Sequence, residues 1–263
     1  MDQIEKIRTS SATDSASSDS EILPREPVFS LSGYTNLSEA LKFIASEATP
    51  EYALFVDIPL KWGQRILERL EKDDGKIFGR KYRYTWNSHE RTLRLSMPSP
   101  IHEAVTSWYF QMTLTWVSNG IITLEEAKEA TPSTNTPFTM PASPYQQSTK
   151  IPDVAVTPDD GQSLPSFVIE VGWTEPMTAL QADMELLLCG SEGQIQMGLV
   201  VKWYLQRRTG TVRGTACLWA LDAYGRLTKQ QEEVYHLPTT SKWASGAQPH
   251  SRPVVAGVFG RDA

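Results

Sequence analysis

Cysteine is nearly missing: Cys189 and Cys217 are the two present among 263 residues, far apart and without CxxC or Cys/His spacing. That excludes a zinc motif and a disulfide framework, and it points to a reducing compartment. No uninterrupted apolar run approaches the roughly 20 residues that cross a bilayer, and the N-terminus lacks the apolar core of a secretory signal. The expectation is a cytoplasmic or nuclear protein that does not enter a membrane. Positive charge is also scarce. Lys and Arg total 25 against 31 Asp and Glu, which leaves a net charge of −6 and a pI near 5.3. The molecule as a whole repels polyanions, so contact with nucleic acid has to come from a local basic patch.

What is present suffices for a packed core, since 40% of residues are hydrophobic and the length suits one domain with extensions. Residues 1–27 are acidic, serine-rich and poor in aromatics, which predicts a disordered tail. Residues 28–79 hold two helical patterns, over 37–48 and 62–70, the second placing Ile66, Leu67 and Leu70 on one side. They read as an N-terminal helical appendage. In 83–97 apolar residues alternate on either side of the polar turn Asn87-Ser88-His89-Glu90, a hairpin signal. Ser99-Pro100 then starts a helix that Asn119-Gly120 stops. The stretch 123–147, crowded with proline, serine and threonine, predicts a long irregular connection with a short strand near 138–140. Strands follow over 151–157 and 167–173, then a helix over 177–188, a nearly all-apolar strand over 197–205 and a final hairpin turning at 223–226. This order predicts an α/β (α+β) chain, a mixed central sheet flanked by helices, with the core over 80–238 and a loose tail over 239–263.

The helix from Pro100 carries two apolar stripes. Ile101, Val105, Trp108, Met112 and Trp116 form one and Phe110, Leu114 and Val117 the other, which predicts burial from two directions. Glu103 falls on the second stripe, either favoured there by the macrodipole of the helix N-terminus or serving as an accessory acid of a metal site.

Two further acids carry the chemistry. Glu170 shares a strand face with Val168 and Gly172, and an ionised carboxylate among apolar neighbours needs a partner charge or a cation. Asp153 heads the preceding strand, where an antiparallel partner would let the two carboxylates converge. Converging acids repel unless one is protonated or a metal lies between them, and oxygen-rich sites of this kind suit magnesium or manganese. Asp159 and Asp160 lie in an Asp-Asp-Gly sequence that is ordinary turn chemistry. Thr174, Glu175 and Pro176 read as a helix start, with Glu175 as a cap. Lys202, Arg207, Arg208, Arg213 and Arg226 gather around the last strand and hairpin, and Lys76 to Arg83 form a second basic concentration. Each reads as a solvated strand end or as a phosphate contact.

The order of hairpin, helix with Glu103, strand with Pro152-Asp153, strand with Glu170-Val171-Gly172, helix and strand resembles the PD-(D/E)XK nuclease superfamily, the restriction-endonuclease-like fold. The likeness covers about residues 80–206 and is nearest to the Uma2-type branch and a group of fungal proteins sharing an EVG core. It implies a magnesium- or manganese-dependent endonuclease acting on nucleic acid, with Asp153 and Glu170 as metal ligands, Glu103 assisting and a lysine near the attacking water. The alternative is a member that kept the fold and lost hydrolysis, serving as a binding or interaction module. The sequence departs from the family pattern at the lysine: Gly172 stands two residues after Glu170, and Leu187 occupies the position that the Uma2 branch uses. Lys202 is then the candidate for the catalytic cation.

Overall fold

The protein is described by a computed structural model covering residues 27–47, 52–72, 76–77, 80–97, 100–130, 132–158, 161–206 and 211–238. The tail through residue 26, the segment from 239 onward, Asp159, Asp160, Arg207 and Arg208 lie outside the described residues. In chain order the elements are β1 (Val28–Ser30), α1 (Leu37–Glu47), β2 (Tyr52–Val56), α2 (Leu60–Lys72), β3 (Lys76–Ile77), β4 (Arg80–Lys81), β5 (Arg83–Asn87), β6 (Thr92–Ser96), α3 (Pro100–Ser118) and α4 (Leu124–Glu129). They continue with β7 (Pro132–Ser133), β8 (Phe138–Thr139), β9 (Thr149–Lys150), β10 (Val154–Val156), β11 (Phe167–Gly172), α5 (Met177–Gly190), β12 (Met197–Gln206), β13 (Thr211–Leu221) and β14 (Leu227–Pro238). The chain is of the mixed α/β class, as its alternation of elements predicts.

Two sheets of six strands carry the fold where the sequence suggested one central sheet. The first runs β1-β2-β6-β5-β9-β8. The segment 28–79 is therefore more than a helical appendage, because its strands β1 and β2 extend the β5–β6 hairpin. Alternation along the hairpin turns Tyr84, Trp86, Leu93 and Leu95 into a core with Ile44 of α1 and Ile66, Leu67 and Leu70 of α2. The opposite face of the same strands carries Arg83, Thr85 and Arg94. Thr85 lies directly across from Arg94 on one side and Lys150 on the other, so these three residues form a row on one face.

The second sheet runs β14-β13-β12-β11-β10-β7. β10 pairs antiparallel to β11, while β11 pairs parallel to β12, with α5 as the crossover that a parallel pair requires. Val168 and Val200 pack with Leu180, Met184, Leu187 and Leu188 of α5 on one face. Val154, Ile169, Val171, Val201 and Trp203 pack with Val105 and Tyr109 of α3 on the other. Both faces being covered explains why β11 and β12 read as nearly unbroken apolar runs.

Helix α3 departs from its expected burial. The stripe through Val105 and Tyr109 is buried, but Phe110 and Leu114 on the other side are 48% and 69% exposed. The connection after it is also more ordered than its composition suggests. Thr123 caps α4 and exchanges hydrogen bonds with Glu126 in a capping box. Among the described residues no helix is long and apolar enough to cross a membrane.

Candidate functional site: a charge seam between the sheets

The row Arg94, Thr85, Lys150, together with Arg83 two residues along β5, would gather three cations on one sheet face. In a low-dielectric interior that arrangement is untenable without counter-charge. The second sheet and its helix supply it. Arg83 pairs with Asp153 through Nη1 and Oδ1, and Arg94 pairs with Asp183 of α5 through Nη1 and Oδ1. Lys150 Nζ lies 2.7 Å from Asp183 Oδ2 and 3.0 Å from Glu170 Oε2. Each of the pairs made by Arg83, Arg94 and Lys150 takes its cation from the first sheet and its acid from the second layer. Arg83, Lys150, Asp153, Glu170 and Asp183 are all buried.

The register of β10 and β11, Val154 across from Ile169, carries Asp153 to the position beside Glu170 when extended by one residue. The neighbourhood expected for the two acids is therefore present, but their partners differ. Asp153 Oδ2 accepts a 2.6 Å hydrogen bond from the Val171 amide, and Oδ1 faces His102 Nε2 of α3 at 3.8 Å as well as Arg83. Glu170 is met instead from the α5 face, by Lys150. Its Oε1 is buried with no hydrogen-bond partner.

The electrostatics follow from burial. Loss of solvent pushes the Glu170 carboxyl up to about 7 in spite of Lys150, and nearby Asp183 adds to the rise. Glu175 is likewise pushed up to about 7 by burial, against the pull of Lys150. Burial also opposes ionisation of Asp183, but Arg94 and Lys150 outweigh it and hold that carboxyl below its ordinary value. At Lys150 the penalty of burial is overcome by Asp183 and Glu170, which raise its pKa. Arg83 is lowered by burial, partly countered by Glu170, Glu175 and Glu103.

Other candidates move from their expected roles. Lys202 is fully buried and lies in register with Gly172, but its ammonium donates to the carbonyls of Trp173 at 2.6 Å and Trp203 at 3.1 Å. Glu103 is exposed in the first turn of α3, not held on a buried face, and its charge acts on Arg83 of the seam. Glu175 does not cap α5: the N-cap is Pro176, without a side-chain hydrogen bond, and Glu175 belongs to the buried charges. Three described members of the basic concentrations sit at separate places. Arg83 is consumed by Asp153, Arg213 lies against the Tyr204 ring, and Arg226 pairs with Asp222 in the turn at the other end of β13, roughly 30 Å away at strand spacing.

Lys150, Arg83, Arg94 and Asp183 are the residues that sequence reasoning left out of the site. Asp183 adjoins the apolar stripe of α5 formed by Leu180, Met184, Leu187 and Leu188, and the arginines lie on the polar phase of the β5–β6 hairpin. The usable signal was the need of buried Glu170 for a cation, which could have directed attention to bases on neighbouring strands.

No protein-family model matches the chain, and no curated protein or solved structure matches it. The donor set does not fit a divalent cation. Both oxygens of Asp153 and both of Asp183 are engaged, and at Glu170 an ammonium stands where the metal would. Among the described residues no group of three or more His, Cys, Asp or Glu side chains is placed to hold a metal ion.

Proposed function

We propose that the chain is a restriction-endonuclease-like protein whose hydrolytic centre has become an internally neutralised seam, and that it works as a binding or interaction module. One observation carries the reading: the carboxylates of Asp153, Glu170 and Asp183 are paired with Arg83, Lys150 and Arg94 of the opposing sheet. A metal would have to displace these cations, and opening a buried pair costs about 3–5 kcal/mol. The nuclease lineage draws support from the order of helix, strand with Asp153, strand with Glu170, crossover helix and parallel strand.

A second reading, retained phosphodiester hydrolysis with magnesium or manganese, has one observation in its favour. Lys150 sets an ammonium 3.0 Å from Glu170, the residue type that Gly172 and Leu187 fail to provide. The two readings part in one experiment. Plasmid and single-stranded DNA and RNA are incubated with magnesium or manganese and the wild type, Asp153→Ala or Glu170→Ala. Manganese binding to the same proteins is followed by calorimetry. The module reading expects no cleavage above buffer and no manganese heat. Cleavage by the wild type that both substitutions abolish would overturn it.

A further inference from the structure

Exposed large hydrophobic side chains scattered singly need no explanation, but four of those in this chain fall within a short stretch: Phe110, Leu114, Ile121 and Leu124, exposed by 48%, 69%, 63% and 53%. Phe110 and Leu114 are four apart on α3 and share a face. Ile121 follows three residues after α3 ends and is itself exposed. Gly120, at φ 69°, adopts the left-handed conformation, its amide donates to Val117 O, and the Ile121 amide donates to Trp116 O, the bond pattern of a Schellman stop. Two residues later the capping box of Thr123 and Glu126 fixes the start of α4 and so presents Leu124. The end of α3 and the start of α4 are thus both fixed by hydrogen bonds, and the side of α3 opposite Phe110 and Leu114 is anchored on the second sheet by Val105 and Tyr109, so these exposed side chains are held in place before any partner arrives.

Its charge is one-sided. Residues 100–118 contain no lysine or arginine, Glu103 stands exposed in the first turn of α3, and Glu125, Glu126 and Glu129 stand exposed on α4, where Lys128 is the single base. Apolar contacts spaced along one helix and flanked by acids complement a helix with the same apolar spacing flanked by bases. A second copy of this face would bring like charges together, and an anionic lipid surface would be repelled.

We infer that the α3–α4 face is a docking surface for a basic amphipathic helix of a partner protein. This goes beyond the interaction-module reading and does not depend on the charge seam, since an active hydrolase could use the same face. Its test is therefore separate from the metal and cleavage assays.

The probe is a fluorescent peptide of about 18 residues, matching the ~28 Å length of the 19-residue α3, with leucines at helical spacing and lysines elsewhere. A twin peptide replaces lysine by glutamate. Anisotropy titrations use the full chain, Leu114→Arg, Phe110→Ser and the double reversal Glu125→Lys/Glu129→Lys, with circular dichroism verifying that each variant is folded. These positions are exposed, so the fold is expected to survive. The expected result is binding of the lysine peptide in preference to its twin and weakening as salt rises. Leu114→Arg and Phe110→Ser should each reduce affinity by roughly tenfold or more, and the reversal should lower both affinity and salt dependence. Equal binding of the two peptides, or binding indifferent to Leu114→Arg, would overturn the inference. So would self-association or adsorption to phosphatidylserine vesicles that Leu114→Arg abolishes, because the face would then serve a second copy or a membrane.

Discussion

Replacing Lys150 by methionine keeps the length and apolar stem of the side chain and deletes one charge from the centre of the seam. Lys150 joins two acids, at 2.7 Å to Asp183 and 3.0 Å to Glu170. Asp183 retains Arg94. Glu170 is left as a buried carboxylate whose Oε1 already lacks a hydrogen bond. Breaking a buried pair from one side costs about 3–5 kcal/mol, and that is the loss expected near pH 8. Near pH 6 the loss shrinks, because a carboxyl already pushed up to about 7 with Lys150 present rises further without it and takes up a proton. Lys150→Met/Glu170→Leu removes both charges, and an apolar pair of similar volume should return stability to within about 1–2 kcal/mol of the wild type. Urea unfolding followed by tryptophan fluorescence reads all of this, given the buried Trp62, Trp86 and Trp203. A single variant within about 0.5 kcal/mol of the wild type, the range of an ordinary surface substitution, would refute the seam. So would a double variant weaker than the single one.

Folded Glu170 and Glu175 bind protons more tightly than in the unfolded chain, about 7 against 4.5. Their contribution is complete below 4.5 and is lost as pH rises to about 7, so the unfolding free energy of the wild type should fall across that window, and Glu175→Gln should flatten the fall. Asp183 acts in the opposite sense: its lowered pKa means that its contribution disappears as pH drops below 3.8, and Asp183→Asn should reduce acid sensitivity there. Gly172→Ala should cost about 1–3 kcal/mol in thermal unfolding, because a Cβ at that position would lie 2.6 Å from Leu180 Cδ1. Gly172→Lys, which introduces the residue that the resemblance leads one to expect two positions after Glu170, should destabilise further and yield no cleavage of plasmid DNA. A folded, cleaving Gly172→Lys protein would contradict the packing argument.

Much of the second sheet was legible because its signals are local. Strand runs bounded by turns, the Asn119-Gly120 stop and the period of α5 recover β10, β11, β12, α3 and α5 within a few residues, and the final hairpin by its turn, though its strands are longer than expected and α4 was not foreseen. The partition into two sheets was not legible. It depends on β1 and β2 pairing with a hairpin some 40 residues downstream, and on β9, two residues long, which leaves no periodicity to detect; β8 falls where a short strand near 138–140 was expected, but its pairing with β9 carries no local signal. The site divides in the same way. Asp153 and Glu170 stand out as acids in apolar strands, whereas Arg83 and Arg94 occupy the polar phase of an alternating hairpin, where burial against a second layer leaves no trace in the pattern. Gly172 shows the converse: in the sequence it stands where the resemblance leads one to expect a lysine, and the structure gives it a reason in the close approach of Leu180.

The chain passes from the last base of the seam, Lys150, to its first acid, Asp153, across only Ile151 and Pro152. A protein cut at that junction would yield one fragment with unmatched bases on its inner surface and another with unmatched acids. Neither should persist as a native half alone, but mixed together the two have the means to find each other and reassemble, which makes the dipeptide a natural place to split this molecule for a complementation reporter.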